Sequence, residues 1–182
     1  MTNSAAPSPE EKVYRRVLFI AAFDGWSVVG VAGAGTLLAL LLGDLSGMLV
    51  GLLAVAAGVL ELRSRRRLVR RDASGMRGLV RAQMFLLAVI LVYCVSRLGS
   101  FDAETAMGNL TPDMEAVLSE SGLSKADLLP LVQATFFATY TVVAVVSLIF
   151  QGGLTLYYRS RTARVTAFLA PPPVAPTHYS VL

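Results

Sequence analysis

Cysteine and histidine each occur once in this chain of 182 residues, and charged residues make up only 15% of it. Cys94 is alone, so no disulfide can form within the chain and no cysteine-based metal site can be assembled. Its apolar surroundings suit a small packing residue better than a nucleophile. His178 is also alone, in a proline-rich stretch, which removes a histidine-dependent triad and a multi-histidine metal centre. Nucleophile–base pairs are scarce, so no enzymatic activity is expected, and no motif implies a cofactor. The shortage of charge excludes more. Soluble domains carry about 25% charged residues, so this chain has too little polar surface to cover a globule in water.

What the chain has instead is apolar residues, 55% of the total, gathered into long runs. Four runs are expected to cross a membrane, at about 17–42, 45–62, 78–98 and 128–157. At ~1.5 Å per residue the first measures ~39 Å, enough to cross a hydrocarbon core of ~30 Å with some tilt. The fold class expected is an all-α membrane protein, an antiparallel four-helix transmembrane bundle. Residues 9–165 would form this domain, flanked by a disordered stretch at 1–8 and a proline-rich tail at 166–182.

The basic residues set the orientation. Three lie before the first run, eight from the end of the second to the start of the third, and three after the fourth, whereas only Arg97 and Lys125 fall on the other side. The positive-inside rule then places the N terminus, the arginine loop and the C terminus in the cytoplasm. A preference for Arg over Lys and the lack of a eukaryotic sorting signal point to a bacterial inner membrane. A cleaved signal peptide is not expected, because Asp24 interrupts the candidate hydrophobic core and Thr36 to Leu42 continue apolar beyond the small-residue site. Nucleic acid is not expected as a partner either, since the cations flank apolar runs without aromatic interleaving.

Turn chemistry places the helix ends. Ser8-Pro9-Glu10-Glu11 is a capping-box start with proline at the first helical position. Gly43-Asp44-Leu45-Ser46 is short enough to force a helical hairpin. The acidic outer segment, 99–127, contains a capped start at Thr111-Pro112-Asp113 and a stop at Gly122, with Met114, Val117 and Leu118 sharing a face between them. Ser124-Lys125-Ala126-Asp127 opens the fourth span, and Tyr157-Tyr158 closes it as an aromatic anchor.

Three groups of residues are candidates for function. Asp24 lies ~12 Å along its helix from Arg16, where an ionised carboxylate costs roughly 2.5–3.5 kcal/mol. Arg81, Gln83, Gln151 and Glu61 lie at similar depth and could join it in an intramembrane polar cluster. Alternatively, Glu61 could bond Arg65 one turn away, and Arg81 could reach lipid headgroups. Gly47, Gly51, Ala54 and Gly58 form a small-residue stripe that lets helix backbones approach. Arg63, Arg66, Arg67 and Arg70 share a helical face suited to anionic lipid headgroups.

The arrangement of four spans, a tight first outer turn and a longer second outer segment is similar to that of tetraspanins. Their outer-loop cysteine motifs are absent here, so no functional residue carries over. Small drug exporters resemble the chain in span number and in having a membrane acid. The function expected is a non-enzymatic assembly or interaction subunit, acting through helix association with a second copy or with another membrane protein. The alternative is a small transporter or an ion or proton pathway built around Asp24.

Overall fold

The computed structural model of the protein describes residues 8–103, 120 and 124–170. The capped helix expected at Thr111, most of the acidic segment, the polyproline stretch and His178 lie outside the described residues. Four long helices follow one another: α1 (Pro9–Leu41), α2 (Leu45–Val69), α3 (Ser74–Gly99) and α4 (Lys125–Leu169). No strand is found among the described residues, and all four helices are long and apolar enough to cross a membrane.

Each helix starts and stops for a local reason. Ser8 caps α1 by accepting the Glu11 amide at 3.1 Å, with Pro9 in the first turn. At the other end the Gly43 amide reaches the Leu40 carbonyl, and the Asp44 amide reaches that of Ala39 at 2.9 Å. This is a Schellman closure, which needs its central residue in the left-handed region. Gly43 supplies it at φ +71°. Asp44 then caps α2, accepting from the Gly47 amide at 3.0 Å. One residue thus closes one helix and opens the next. The α2–α3 turn repeats the closure with Arg71 at φ 61°, its guanidinium 5.6 Å from the Phe168 ring centroid at the far end of α4.

Every helix contains its apolar run and continues past it at the arginine-rich end, called here the basic end. In α4 the continuation is longest. The helix passes Tyr157 and the boundary expected at 165 to reach Leu169, because neither glycine nor proline interrupts it after Gly153. Ala170 turns extended, at ψ 140°, as a residue before proline must.

The helices run alternately up and down. Packing is tightest at the basic end, where Val17, Ala21, Leu68, Met76, Leu79, Tyr158 and Val165 form a buried core drawn from all four. Tyr14 donates to the Leu68 carbonyl at 2.9 Å and ties α1 to α2. Toward the other end, the hairpin end, Ala54, Ala57 and Leu86 make a smaller core. There α4 meets Phe101, just past the end of α3, through Phe136 and Phe137, and meets α3 itself through Arg97, which donates to the Tyr140 hydroxyl at 3.2 Å. No residue of α4 between 131 and 150 is buried. The bundle is closed at its basic end and loose at its hairpin end.

Gly43→Ala should lower stability by about 1 kcal/mol, the cost of a side chain in the left-handed region. Asp44→Ala should cost about as much through the lost cap. The Gly47 amide, with help from the Ser46 hydroxyl, holds the Asp44 carboxyl below its ordinary 3.8. A lowered folded value means that the contribution is complete above the unfolded value and is lost as pH falls through the folded one. Thermal unfolding in detergent between pH 7 and pH 2 should therefore show the gap between wild type and Asp44→Ala closing only at the acid end. A gap independent of pH would contradict this.

Candidate functional site

The site forms where α1 and α2 cross most closely. A side chain on Gly58 would stand 2.8 Å from Val29 Cγ2 and 3.1 Å from the Gly25 carbonyl, and one on Gly25 would stand 2.9 Å from Leu62. Glycine on both sides permits this approach. Asp24 adjoins Gly25, and Glu61 lies one turn beyond Gly58, so the crossing that joins the backbones also turns two carboxyls toward each other. The second close approach is between α2 and α3. A Cβ on Gly75 would stand 2.6 Å from the Ser64 carbonyl, and Gly78 also sits against Ser64. That contact sets the register of α3 and brings in Gln83.

Gln83 is the hub. Its amide nitrogen donates to Asp24 Oδ2 at 2.5 Å and to Glu61 Oε2 at 2.9 Å. The Tyr158 hydroxyl of α4 donates to the other Glu61 oxygen at 2.9 Å. Glu61 and Gln83 are each 1% exposed and Tyr158 0%, whereas Asp24 is half-buried at the edge. Each helix contributes one side chain. Among the described residues no arginine or lysine pairs with either acid, and the one salt bridge found there, Arg15 to Glu11, lies on the surface of α1.

Of the five polar residues expected together, the structure joins Asp24, Glu61 and Gln83. Arg81 is exposed and lines a surface groove with Arg77 and Arg159. Arg65 gives its Nε to the Leu18 carbonyl at 3.1 Å, and not to Glu61. Gln151 is buried two helical turns from Tyr158 on the same side of α4, with Thr155 between them. Gly47, Gly51, Ala54 and Gly58 face inward: Gly47 lies by Ala39, Gly51 against Thr36 and Gly58 against Val29, while Ala54 packs with Leu86. Arg63, Arg66, Arg67 and Arg70 are exposed at the basic end of α2.

Tyr158 is the member that sequence reasoning missed, because Tyr157-Tyr158 at the end of an apolar run reads as an interfacial pair. A signal was present: Gln151, Thr155 and Tyr158 recur at the helical period and mark one polar stripe. The stripe leads into an apolar crevice of about 310 Å³ lined by residues that include Ser27, Ala32, Ala54, Leu86, Ile90 and Gln151. Gln151 Oε1 and Thr155 Oγ1 of the stripe, and Gln83 Oε1 of the acid cluster, are buried without a partner among the described residues. Such atoms are uncommon in native interiors and tend to mark places where water or a ligand enters. No known family model, curated protein or solved structure matches the chain, so the site itself carries the functional argument.

Gln83→Leu would leave two carboxyls facing each other without their shared donor. It should cost roughly 3 kcal/mol or more, whereas Arg81→Gln, a change to an exposed side chain, should stay within about 0.5 kcal/mol. Asp24→Asn should be milder than Asp24→Leu, which removes every hydrogen-bonding group. Thermal unfolding in detergent ranks the four variants. A Gln83→Leu protein as stable as wild type would show that the cluster does not hold the helices together.

Proposed function

We propose that this chain is a multi-pass membrane protein working as a small proton-linked transporter or ion pathway, with Asp24 and Glu61 binding the charge that moves. The observation that carries this reading is the convergence of two carboxyls on the Gln83 amide, with only neutral donors around them. A structural ion pair would bring a cation. Here an amide and a phenol do the holding, which leaves room for an exchangeable charge.

The chemistry follows from crowding. One proton between the two carboxyls leaves a single negative charge, answered by Gln83 and Tyr158. Removing that proton leaves two like charges around one amide nitrogen, a costly arrangement away from water. A cation entering the site relieves it. Proton and cation then compete for one place, and their movements are coupled. Ionisable groups deep in apolar helices commonly mark such pathways, and the Gln151–Thr155–Tyr158 stripe offers the site a polar approach from the crevice.

Membrane insertion and orientation belong to the same reading. Apolar side chains such as Phe19, Phe23, Trp26, Ile149 and Phe150 are exposed along the helices, which suits lipid as the surrounding solvent. The proposed setting is a bacterial inner membrane with the basic end and both termini in the cytoplasm, a reading supported by the fourteen of sixteen cations that lie on one side of the runs. Helix association is the second reading. With the small-residue stripe of α2 taken up against α1, the exposed stretch of α4 between 131 and 150 is the face it would use.

Reconstituted into liposomes, the wild type should move protons, followed with a pH-sensitive dye, in response to a gradient of Na+, K+ or tetramethylammonium offered singly. Asp24→Asn and Glu61→Gln should each reduce that flux at least tenfold while the protein stays monodisperse. Flux unchanged in both variants, or no wild-type flux above empty liposomes with any of the three cations, would refute the transport reading. For the threading, single cysteines at Arg66 and Ser100 in a Cys94→Ala background should be labelled from opposite sides of the membrane. Labelling of both from one side would overturn the proposed topology.

A further inference from the structure

A second site lies at the basic end, apart from the acid cluster. Lys12 and Arg16 of α1 and Arg161 and Arg164 of α4 converge on a cavity of about 500 Å³, whose wall is completed by Val13 and Tyr157. None of its lining residues is acidic. Glu11, the carboxylate nearest in sequence to Lys12, is engaged by Arg15 at 2.6 Å. The Tyr157 hydroxyl is buried and has no partner among the described residues, while its ring lies 5.7 Å beneath the Arg161 guanidinium. The stacking orients Arg161 over the cavity wall, and the hydroxyl adds a donor beside the cations.

We propose that this cleft binds the headgroup of an anionic phospholipid carrying two phosphates, the diphosphatidyl class. Four cations on two helices exceed what a single phosphodiester would neutralise, and a planar guanidinium suits phosphate oxygens. The position favours a lipid over a dissolved anion. The cleft lies where the fourth apolar run ends, at Tyr157, and exposed apolar residues such as Phe19 and Leu156 lie next to it along α1 and α4. Basic pockets between membrane helices take headgroups of this kind. Arg77 and Arg159, exposed at the basic end in a groove outside the cleft, serve as the comparison for diffuse attraction to a charged surface.

Native mass spectrometry of the detergent-solubilised protein tests the assignment, with cardiolipin, phosphatidylglycerol, phosphatidylcholine and inorganic pyrophosphate as probes. Cardiolipin should be retained at least tenfold more tightly than phosphatidylcholine, and more tightly than phosphatidylglycerol. Arg16→Gln with Arg161→Gln should weaken its retention at least tenfold, whereas Arg77→Gln with Arg159→Gln, an equal loss of charge outside the cleft, should change it less than twofold. Tyr157→Phe keeps the ring under Arg161 and should weaken retention a few-fold with an unchanged unfolding temperature, which separates lost binding from lost folding. Equal loss in the two double variants, or no preference for cardiolipin over phosphatidylglycerol, would overturn the site. Pyrophosphate bound as tightly as cardiolipin would overturn the choice of a lipid occupant.

Discussion

Gly25 and Gly58 let α1 and α2 touch nearly backbone to backbone, and the rest of the arrangement depends on that contact. A larger residue at either position would push the helices apart, since each hypothetical Cβ already meets atoms of the other helix at 2.8–2.9 Å. Asp24 and Glu61 flank the contact, and their separation is set by it. A second contact of the same type, Gly75 and Gly78 against Ser64, fixes the height of α3 and with it the reach of Gln83. Small residues are usually discussed as a means of packing. Here their consequence is chemical, because they decide which polar groups meet.

The bundle separates its charges. Eight arginines lie from the end of the second apolar run to the start of the third, yet none of them pairs with the two acids only a few turns away. Arg65, four residues from Glu61, turns to the Leu18 carbonyl, and Arg81 turns outward. The acids meet an amide and a phenol instead. A buried ion pair is often no more stable than a packed apolar equivalent, but it would hold its charges fixed. The neutral donors found here satisfy the carboxyls and leave their charge open to exchange, which is the physical basis of the proposed transport role. The basic cleft draws on the same segregation from the other direction, with cations gathered where no acid answers them.

Unequal packing divides the molecule lengthwise. At the basic end all four helices share a buried core, with Tyr158 reaching Glu61 from α4. Toward the hairpin end α4 loses its buried residues and keeps only its aromatic contacts around Phe101 and Arg97. Cooperative units with few buried contacts open most readily, so this half is where the bundle would yield first. The Gln151 crevice lies in that half, directly beyond the polar stripe.

The four spans, the starts of α1, α2 and α4, and the two short turns were legible in the amino-acid order because they depend on near neighbours, whereas the reach of α4 past Tyr157 was not. Pro9 after Ser8, Gly43 before Asp44 and the capping box of Ser124 and Asp127 act within four residues. Asp24 and Glu61 were legible as candidates because a carboxylate in an apolar run is costly wherever its partner lies. Partner choice was not legible. Gln83, Arg81 and Gln151 have similar depth and similar capacity to donate, and only the rotation of each helix about its own axis separates the one that meets the acids from the two that do not. Tyr158 was hidden for the same reason, since one step of ~100° along a helix distinguishes it from Tyr157, which faces the basic cleft. Those rotations are decided by how glycines and side chains of different helices fit together, and no local stretch of sequence contains that fit.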